Sequence, residues 1–423
     1  MDRRTSTVAL AASTCLGLSL ALGSAVLHRA RLDPLGPPVA SGQQPSSTDT
    51  PMVPQPPPQI TPTQVYTLTV HPEWGQAGLT LAAHPERYLR ELAHAPDGSG
   101  IAFTVNKAYE DGLADLYLAE TGAGGAPTGL VRPLRAAPPG RAFTALAASA
   151  AAGAYAALAV DPEDPARGDL YIVGADGGSA RDLTGGRFAI ADFLWSPDGA
   201  RLALLTAQGA LYQVGAADGS ATLLADDLQS PAGDAAAALA WSPDARRLAV
   251  ASFTDGAPRL EVIELADGAR LRLAVGDLAD LPAPVFAADG SQLYYLARPR
   301  DGGAADHRLY RIAPLGGASP VDLAGLPGSA AVGGPDERPL RSPDGSALVF
   351  AMGGGLYRVG TDGSGLLRLT APATDVTGRP SLTVLPDGSA SAAFVSYALR
   401  PDDGSVGWNG PSAELRIGTA ALP

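Results

Sequence analysis

The side chains with most capacity for chemistry are five histidines, one cysteine and 43 carboxylates in 423 residues. His28, His71, His84, His94 and His307 form neither a His-Glu-x-x-His motif nor any other paired metal-ligand spacing. Cys15 stands alone, which excludes a disulfide within the chain and any Cys-x-x-Cys metal site. A nucleophile elbow needs Gly-x-Ser-x-Gly, but Gly177-Gly178-Ser179-Ala180 is followed by Arg181. No glycine-rich phosphate loop opens a helix. The most acidic loop, Asp161 to Asp169, offers four carboxylates as oxygen ligands for Ca²⁺. It lacks the Asp-x-Asp-x-Asp-Gly spacing and carries Pro162 and Pro165, so it reads as a solvated loop. These observations predict no catalytic residues, no metal and no cofactor. The formal charge of −13, with Lys107 the sole lysine, leaves no basic footprint for nucleic acid.

The acidic residues that do recur belong to a repeat. Trp195-Ser196-Pro197-Asp198-Gly199 precedes the apolar run Leu202–Leu205, and Trp241-Ser242-Pro243-Asp244 precedes Leu248–Val250, with Ala245 in the glycine's place. Looser copies centre on Asp97, Asp289, Asp344 and Asp387. Successive turn aspartates from Asp198 lie 46, 45, 55 and 43 residues apart, and the 101 residues between Asp97 and Asp198 hide one copy near Ala150–Gly153. Seven units of this length match four-stranded propeller blades. A residue that returns in six turns is a fold device rather than a catalyst. His94 takes the place of Trp195 and Trp241 and reads as a packing residue.

Within a unit the pattern is strand, Pro-Asp-Gly turn, strand, loop, strand, second Gly turn, strand. The third unit gives Phe193–Ser196, Leu202–Thr206, Ala210–Val214 and Ala221–Leu224. Asp-Gly at the second turn (Asp176-Gly177, Asp218-Gly219, Asp267-Gly268, Asp362-Gly363) suits tight hairpins, because Gly takes φ > 0 freely. A Leu-Tyr pair marks the third strand at Tyr117, Tyr171, Tyr212, Tyr310 and Tyr357 and reads as packing between blades. The last unit is one strand short, and Val65–Val70 is spare at the other end, so the two ends are expected to share a blade. The expected fold is all-β, a seven-bladed β-propeller, with six or eight blades as the alternatives.

Ahead of this domain the character changes twice. Thr7–Leu27 runs 21 residues without a charge, long enough to span the roughly 30 Å of bilayer hydrocarbon. Residues 1–31 therefore read as a signal or anchor segment, with retention as an anchor favoured by the Leu- and Ala-rich length. Cys15 invites lipidation, but Thr14 before it and the apolar residues beyond it favour a cysteine buried in the membrane. Residues 32–63 hold ten prolines among Ser, Gln and Thr and read as an extended, disordered tether. Residues 64–423 form the propeller.

Ser-Pro-Asp-Gly followed by an aliphatic strand, with tryptophan before it in two copies, resembles the TolB-like, WD40-like (PD40) propeller repeats. The resemblance covers about Leu89–Ala420. It implies an extracytoplasmic scaffold, periplasmic or on the cell surface, that binds a protein or peptide on one face. The family's separate α/β domain has no room in Gln64–Arg90, so a relative with the propeller alone is expected. The gating propellers of prolyl oligopeptidases are similar too, but their hydrolase domain has no counterpart here.

Counting reversals places both kinds of short turn at one end of the blades and the long, varied connections at the other: Asn106–Leu113, Asp161–Gly168, Arg298–His307, Pro327–Pro339 and Arg400–Ser412. Variety on one side of a rigid ring marks a binding face. The partner-binding candidates there are Arg298, Arg300, His307, Arg338, Trp408 and Asn409, with Trp408 favoured as an exposed aromatic. The expected protein is a monomer, not an enzyme, anchored by its N-terminal segment. A propeller enzyme such as a glycan hydrolase or lyase, with its site at the central channel, is the alternative, and a surface sensor module a third. The channel enzyme would need carboxylates or a histidine converging at the strand starts, where the chain offers mainly Ala, Leu, Phe and Trp.

Overall fold

A computed structural model describes residues 65–69, 89–106, 114–122, 125, 127–161, 163–164, 167–228, 237–280, 283–303, 306–326, 338–352, 354–370, 375–385, 388–399 and 413–422. The expected anchor, tether, Trp408 and Asn409 lie outside the described residues. Among the described residues no helix is long and apolar enough to cross a membrane. Pro56–Pro423 forms one compact unit.

All described elements are strands, in seven four-stranded antiparallel sheets arranged as a propeller. The first sheet holds β2 (Leu89–His94), β3 (Gly100–Asn106), β4 (Ala114–Thr121) and β5 (Pro127–Arg135). The second holds β6 (Ala142–Ser149), β7 (Ala154–Val160), β8 (Gly168–Gly174) and β9 (Ala180–Asp182). The third holds β10 (Ile190–Trp195), β11 (Arg201–Thr206), β12 (Leu211–Gly215) and β13 (Ala221–Ala225). The fourth holds β14 (Ala237–Trp241), β15 (Arg247–Thr254), β16 (Ala257–Glu264) and β17 (Arg270–Leu273), and the fifth β18 (Ala283–Phe286), β19 (Leu293–Ala297), β20 (Arg308–Ile312) and β21 (Val321–Gly325). The sixth holds β22 (Leu340–Arg341), β23 (Ala347–Met352), β24 (Gly355–Gly360) and β25 (Leu367–Arg368). The hidden repeat is the β6–β7 hairpin, whose Gly153 takes φ +59°.

The seventh sheet joins both ends of the domain. Its order is β1 (Val65–Thr69), β28 (Ala413–Leu422), β27 (Ala390–Leu399), β26 (Asp375–Val384). Val65 lies opposite Ala420 and Thr69 opposite Arg416, so the N-terminal strand supplies what the last repeat lacks.

The Ser-Pro-Asp-Gly turn explains its own recurrence. Ser196 Oγ donates to Asp198 Oδ1 at 2.5 Å, and that oxygen also accepts from Ala200 N at 3.0 Å. Arg201 N donates back to Ser196 Oγ at 2.9 Å, and Gly199 sits at φ +68° where a side chain would be strained. Ser242 with Asp244 and Ser342 with Asp344 repeat the pattern. The hydroxyls of Ser342 and Ser346 hold the Asp344 carboxyl down to about 2.

Between sheets the core is small-chained. Ala238, Ala249 and Ala251 of the fourth sheet meet Phe286, Leu293 and Tyr295 of the fifth in one buried cluster. Tyr310 and Tyr357 join clusters shared by neighbouring sheets, as expected, whereas the ring stacking itself runs across strands of one sheet: Tyr117 on Phe103 at 6.0 Å, Tyr310 on Tyr295 at 5.0 Å and Tyr357 on Phe350 at 5.9 Å between ring centroids.

In four of the sheets the residue three before the turn aspartate locks its sheet to the one before it. Trp195 Nε1 donates to Ala147 O at 3.3 Å and Trp241 Nε1 to Leu194 O at 3.1 Å. Arg341 Nη1 reaches Phe286 O at 2.9 Å. His94, in the same position, hydrogen-bonds Ser381 Oγ through Nδ1 at 3.0 Å, and its backbone N donates to the same hydroxyl. Ser381 belongs to β26, so this contact joins the seventh sheet to the first. Burial pushes the His94 imidazole down to about 4.

Candidate functional site

Strand alternation puts the turns between first and second strands at one end of each sheet. The connections between second and third strands, and between sheets, leave from the other end. Three of the predicted contact residues meet there, in the fifth sheet. The segment Asp277–Asp280 before β18 pairs with Arg298–Arg300 after β19: Ala279 N donates to Arg298 O at 2.8 Å and Arg300 N to Asp277 O at 3.0 Å. Two connections are thereby fused into one small ladder.

Side chains reinforce that ladder. Asp280 accepts from Arg298 N through Oδ1 at 2.8 Å. Its Oδ2 lies 3.0 Å from His307 Nε2 and 3.7 Å from Arg298 Nε. His307 is only 5% exposed, and its Nδ1 is buried with no hydrogen-bond partner among the described residues. One carboxylate thus gathers the β19–β20 loop onto the connection ahead of β18. Arg300 Nε donates to Asp277 Oδ1 at 2.7 Å, and Nη2 to Leu278 O at 3.0 Å. Arg300 and Asp277 are exposed, at 52% and 73% of their side-chain surfaces. Arg308 closes the patch, with Asp322 at 2.6 Å and Asp306 at 3.1 Å.

The electrostatics divide this patch in two. An exposed pair such as Arg300–Asp277 contributes only ~0–1 kcal/mol, so it is readily opened. The half-buried Asp280–His307–Arg298 set costs more to break, because Asp280 would lose its partners while partly desolvated. Arg300 is therefore the exposed arm of the patch, and Asp280 and His307 its inward-facing support.

Two expectations change. His307 is buried rather than presented to solvent, because its ring is drawn in against Asp280. Arg338, 7% exposed, does not join the other three. It stands just before β22 and forms an ion pair with Asp192 of β10. Polar residues in long connections read as exposed from sequence, and nothing local in Pro327–Pro339 announced a buried partner 146 positions away. Asp192 was missed altogether. Its signal was positional: it and Arg338 both stand six residues before a turn aspartate.

Three of the acidic loop's carboxylates are engaged by the protein itself. Asp161 Oδ1 accepts from Glu163 N at 2.9 Å, Asp164 pairs with Arg167 at 3.5 Å and Asp169 with Arg141 at 3.6 Å. Among the described residues, no three His, Cys, Asp or Glu side chains are grouped to hold a metal ion.

No curated protein matches the sequence. Among solved structures, an oligogalacturonate lyase in complex with manganese is 15% identical, with 85% of this chain and 96% of that chain covered at a TM-score of 0.56. TolB from Acinetobacter baumannii is 18% identical at a TM-score of 0.42, over 62% of this chain. The match spans 63% of that TolB's own length. A putative TolB from Agrobacterium tumefaciens is 17% identical at 0.43, with 69% and 94% covered. Likenesses this distant speak to the fold alone. A family model described as the lipoprotein LpqB beta-propeller domain matches residues 80–301, just over half of the chain. The chain belongs to the family of the lipoprotein LpqB beta-propeller domain.

Proposed function

We propose that this protein is a binding scaffold without catalysis of its own, working outside the cytoplasm. Residues 1–31 anchor it to a membrane, residues 32–63 hold it off the surface, and all seven sheets serve as blades of one ring. It captures a protein or peptide partner at the end of the ring that carries the long connections. The single observation that carries the reading is the Arg300–Asp277 pair, exposed on a platform that Asp280 and His307 pin from beneath. A contact group already held in one geometry loses little conformational freedom on binding, which raises affinity. The acidic partner side chain that Arg300 would receive replaces one carboxylate by another.

The test is capture by cross-linking in intact membranes, with the full chain as bait. Arg300→Glu should reduce recovery of the cross-linked partner at least about tenfold, the scale of one well-placed contact residue. Asp218→Lys, in a tight turn at the other end of the third sheet, should leave recovery unchanged. Equal recovery with Arg300→Glu and the unaltered chain would refute the reading.

A further inference from the structure

Asp192 and Arg338 stand six residues before their own turn aspartates, Asp198 and Asp344, so they hold one place in two repeats. Asp192 lies in β10, the first strand of the third sheet, and Arg338 two residues ahead of β22, the first strand of the sixth. First strands pack as β2 with β6, β6 with β10, β14 with β18, β18 with β22 and β22 with β26; Trp241 of β14 bonds Leu194 O of β10, and β26 of the seventh sheet packs against β2 of the first. The third and sixth sheets are not neighbours. These contacts place the fourth and fifth between them one way round, and the seventh, first and second the other. Their ion pair must therefore cross the middle of the ring.

Burial makes this crossing consequential. The Arg338 and Asp192 side chains are 7% and 15% exposed. Asp192 is oriented by its own backbone, since Phe193 N donates to its Oδ1 at 2.8 Å. The corresponding places in other repeats hold Glu91, Ala238, Ala283 and Ser381, so Arg338 is the only base among the described residues at this level. Removing either partner leaves a desolvated charge facing the axis.

We propose that Arg338 and Asp192 form an axial latch. It ties the third and sixth sheets across the ring and closes the central channel at the end that carries the long connections. Any segment entering the channel from that end must offer a charge of its own in exchange. The latch is independent of where a partner binds, and it stands whether or not Arg300 contacts one.

Amide hydrogen exchange on the full chain tests this. Arg338→Ala should speed exchange in β10, and Asp192→Ala should speed it in β22, each by at least about tenfold, while β12 and β16 keep their protection. Asp192→Asn and Arg338→Gln serve the same purpose if an alanine variant fails to fold. The charge-swapped double variant, Asp192→Arg with Arg338→Asp, should recover protection in both strands. A change confined to the sheet that carries the substitution would overturn the latch. So would a double variant no better protected than the singles.

Discussion

Two glycines in equivalent tight turns separate backbone strain from packing between sheets. Gly177 follows Asp176 in the β8–β9 turn and Gly268 follows Asp267 in the β16–β17 turn, at φ +75° and +73°. Alanine at either place meets the same left-handed penalty of ~1–2 kcal/mol. A gain of about 0.4–1 kcal/mol from the stiffer unfolded chain offsets part of it. Their surroundings differ. A Cβ at Gly268 meets nothing within 4 Å, whereas at Gly177 it would lie 2.1 Å from Leu134 O and 2.8 Å from Leu134 C. Leu134 is in β5 of the first sheet, so relief requires the first two sheets to part by about an ångström. Forced overpacking of this kind costs roughly 1–3 kcal/mol. Separation also lengthens the contacts of Arg135 Nη1 with Gly177 O and Gly178 O. Gly268→Ala should therefore destabilise by ~1 kcal/mol and Gly177→Ala by ~2–4 kcal/mol, read from denaturant unfolding of residues 56–423 at an unchanged m-value. Gly363, whose Cβ would lie 2.6 Å from Leu323 O, should fall with Gly177. Equal losses at Gly177 and Gly268 would refute the claim that these turns seat one sheet on the next.

Three further outcomes follow from the same contacts. The His94 imidazole has a folded value of about 4 against 6.5 in the unfolded chain, so the unfolded state binds more protons between them. Stability is complete above 6.5 and is lost as pH falls through about 4. The gap is worth ~3 kcal/mol at ~1.36 kcal/mol per pH unit. His94→Gln should flatten that slope relative to the unaltered chain in urea titrations from pH 7 to pH 4, and an unchanged difference would show that His94 does not titrate on unfolding. Trp241→Phe removes the donor to Leu194 O and leaves a smaller ring beneath the Arg201 guanidinium, 5.7 Å away, and should cost ~2 kcal/mol by calorimetry. Cys15→Ser should leave membrane attachment unchanged after alkaline extraction, whereas loss of attachment, with fatty-acid labelling of the unaltered chain, would show a lipid on that thiol.

Much of the architecture was legible because the repeat writes the same local chemistry many times. The Ser-Pro-Asp-Gly turns and the Asp-Gly turns depend on neighbours a few residues away, and both were read correctly from spacing. The pairing of Val65–Thr69 with β28 was legible by subtraction, since the final repeat lacked one strand. The candidate site was less so. Arg298, Arg300 and His307 stand in one loop and were grouped on that ground, but Asp277 and Asp280, which decide their roles, come from a different connection. Asp192 and Arg338 are 146 residues apart, and only superposing the repeats brings their shared position to light.

Arginine far outnumbers lysine in this chain, and the packing gives that excess a physical use. A propeller core rich in alanine buries little apolar area per residue, so contacts between sheets need another source of adhesion. Arg201 Nη2 donates to Ala245 O in the fourth sheet's turn at 2.8 Å while its guanidinium lies over Trp241. Arg247 Nη2 donates to Gly290 O in the fifth sheet's turn at 2.9 Å and lies 5.5 Å from the Phe286 ring centroid. Arg187 reaches Thr184 O, Leu183 O and Gly219 O with one side chain. A planar fork can bond a carbonyl with its edge and cover an aromatic ring with its face, whereas an ammonium is a single hydrated point. Lysine at position 201 or 247 would keep the charge and give up one of the two contacts. The bias in composition thus falls at the joints where the small core has least to offer.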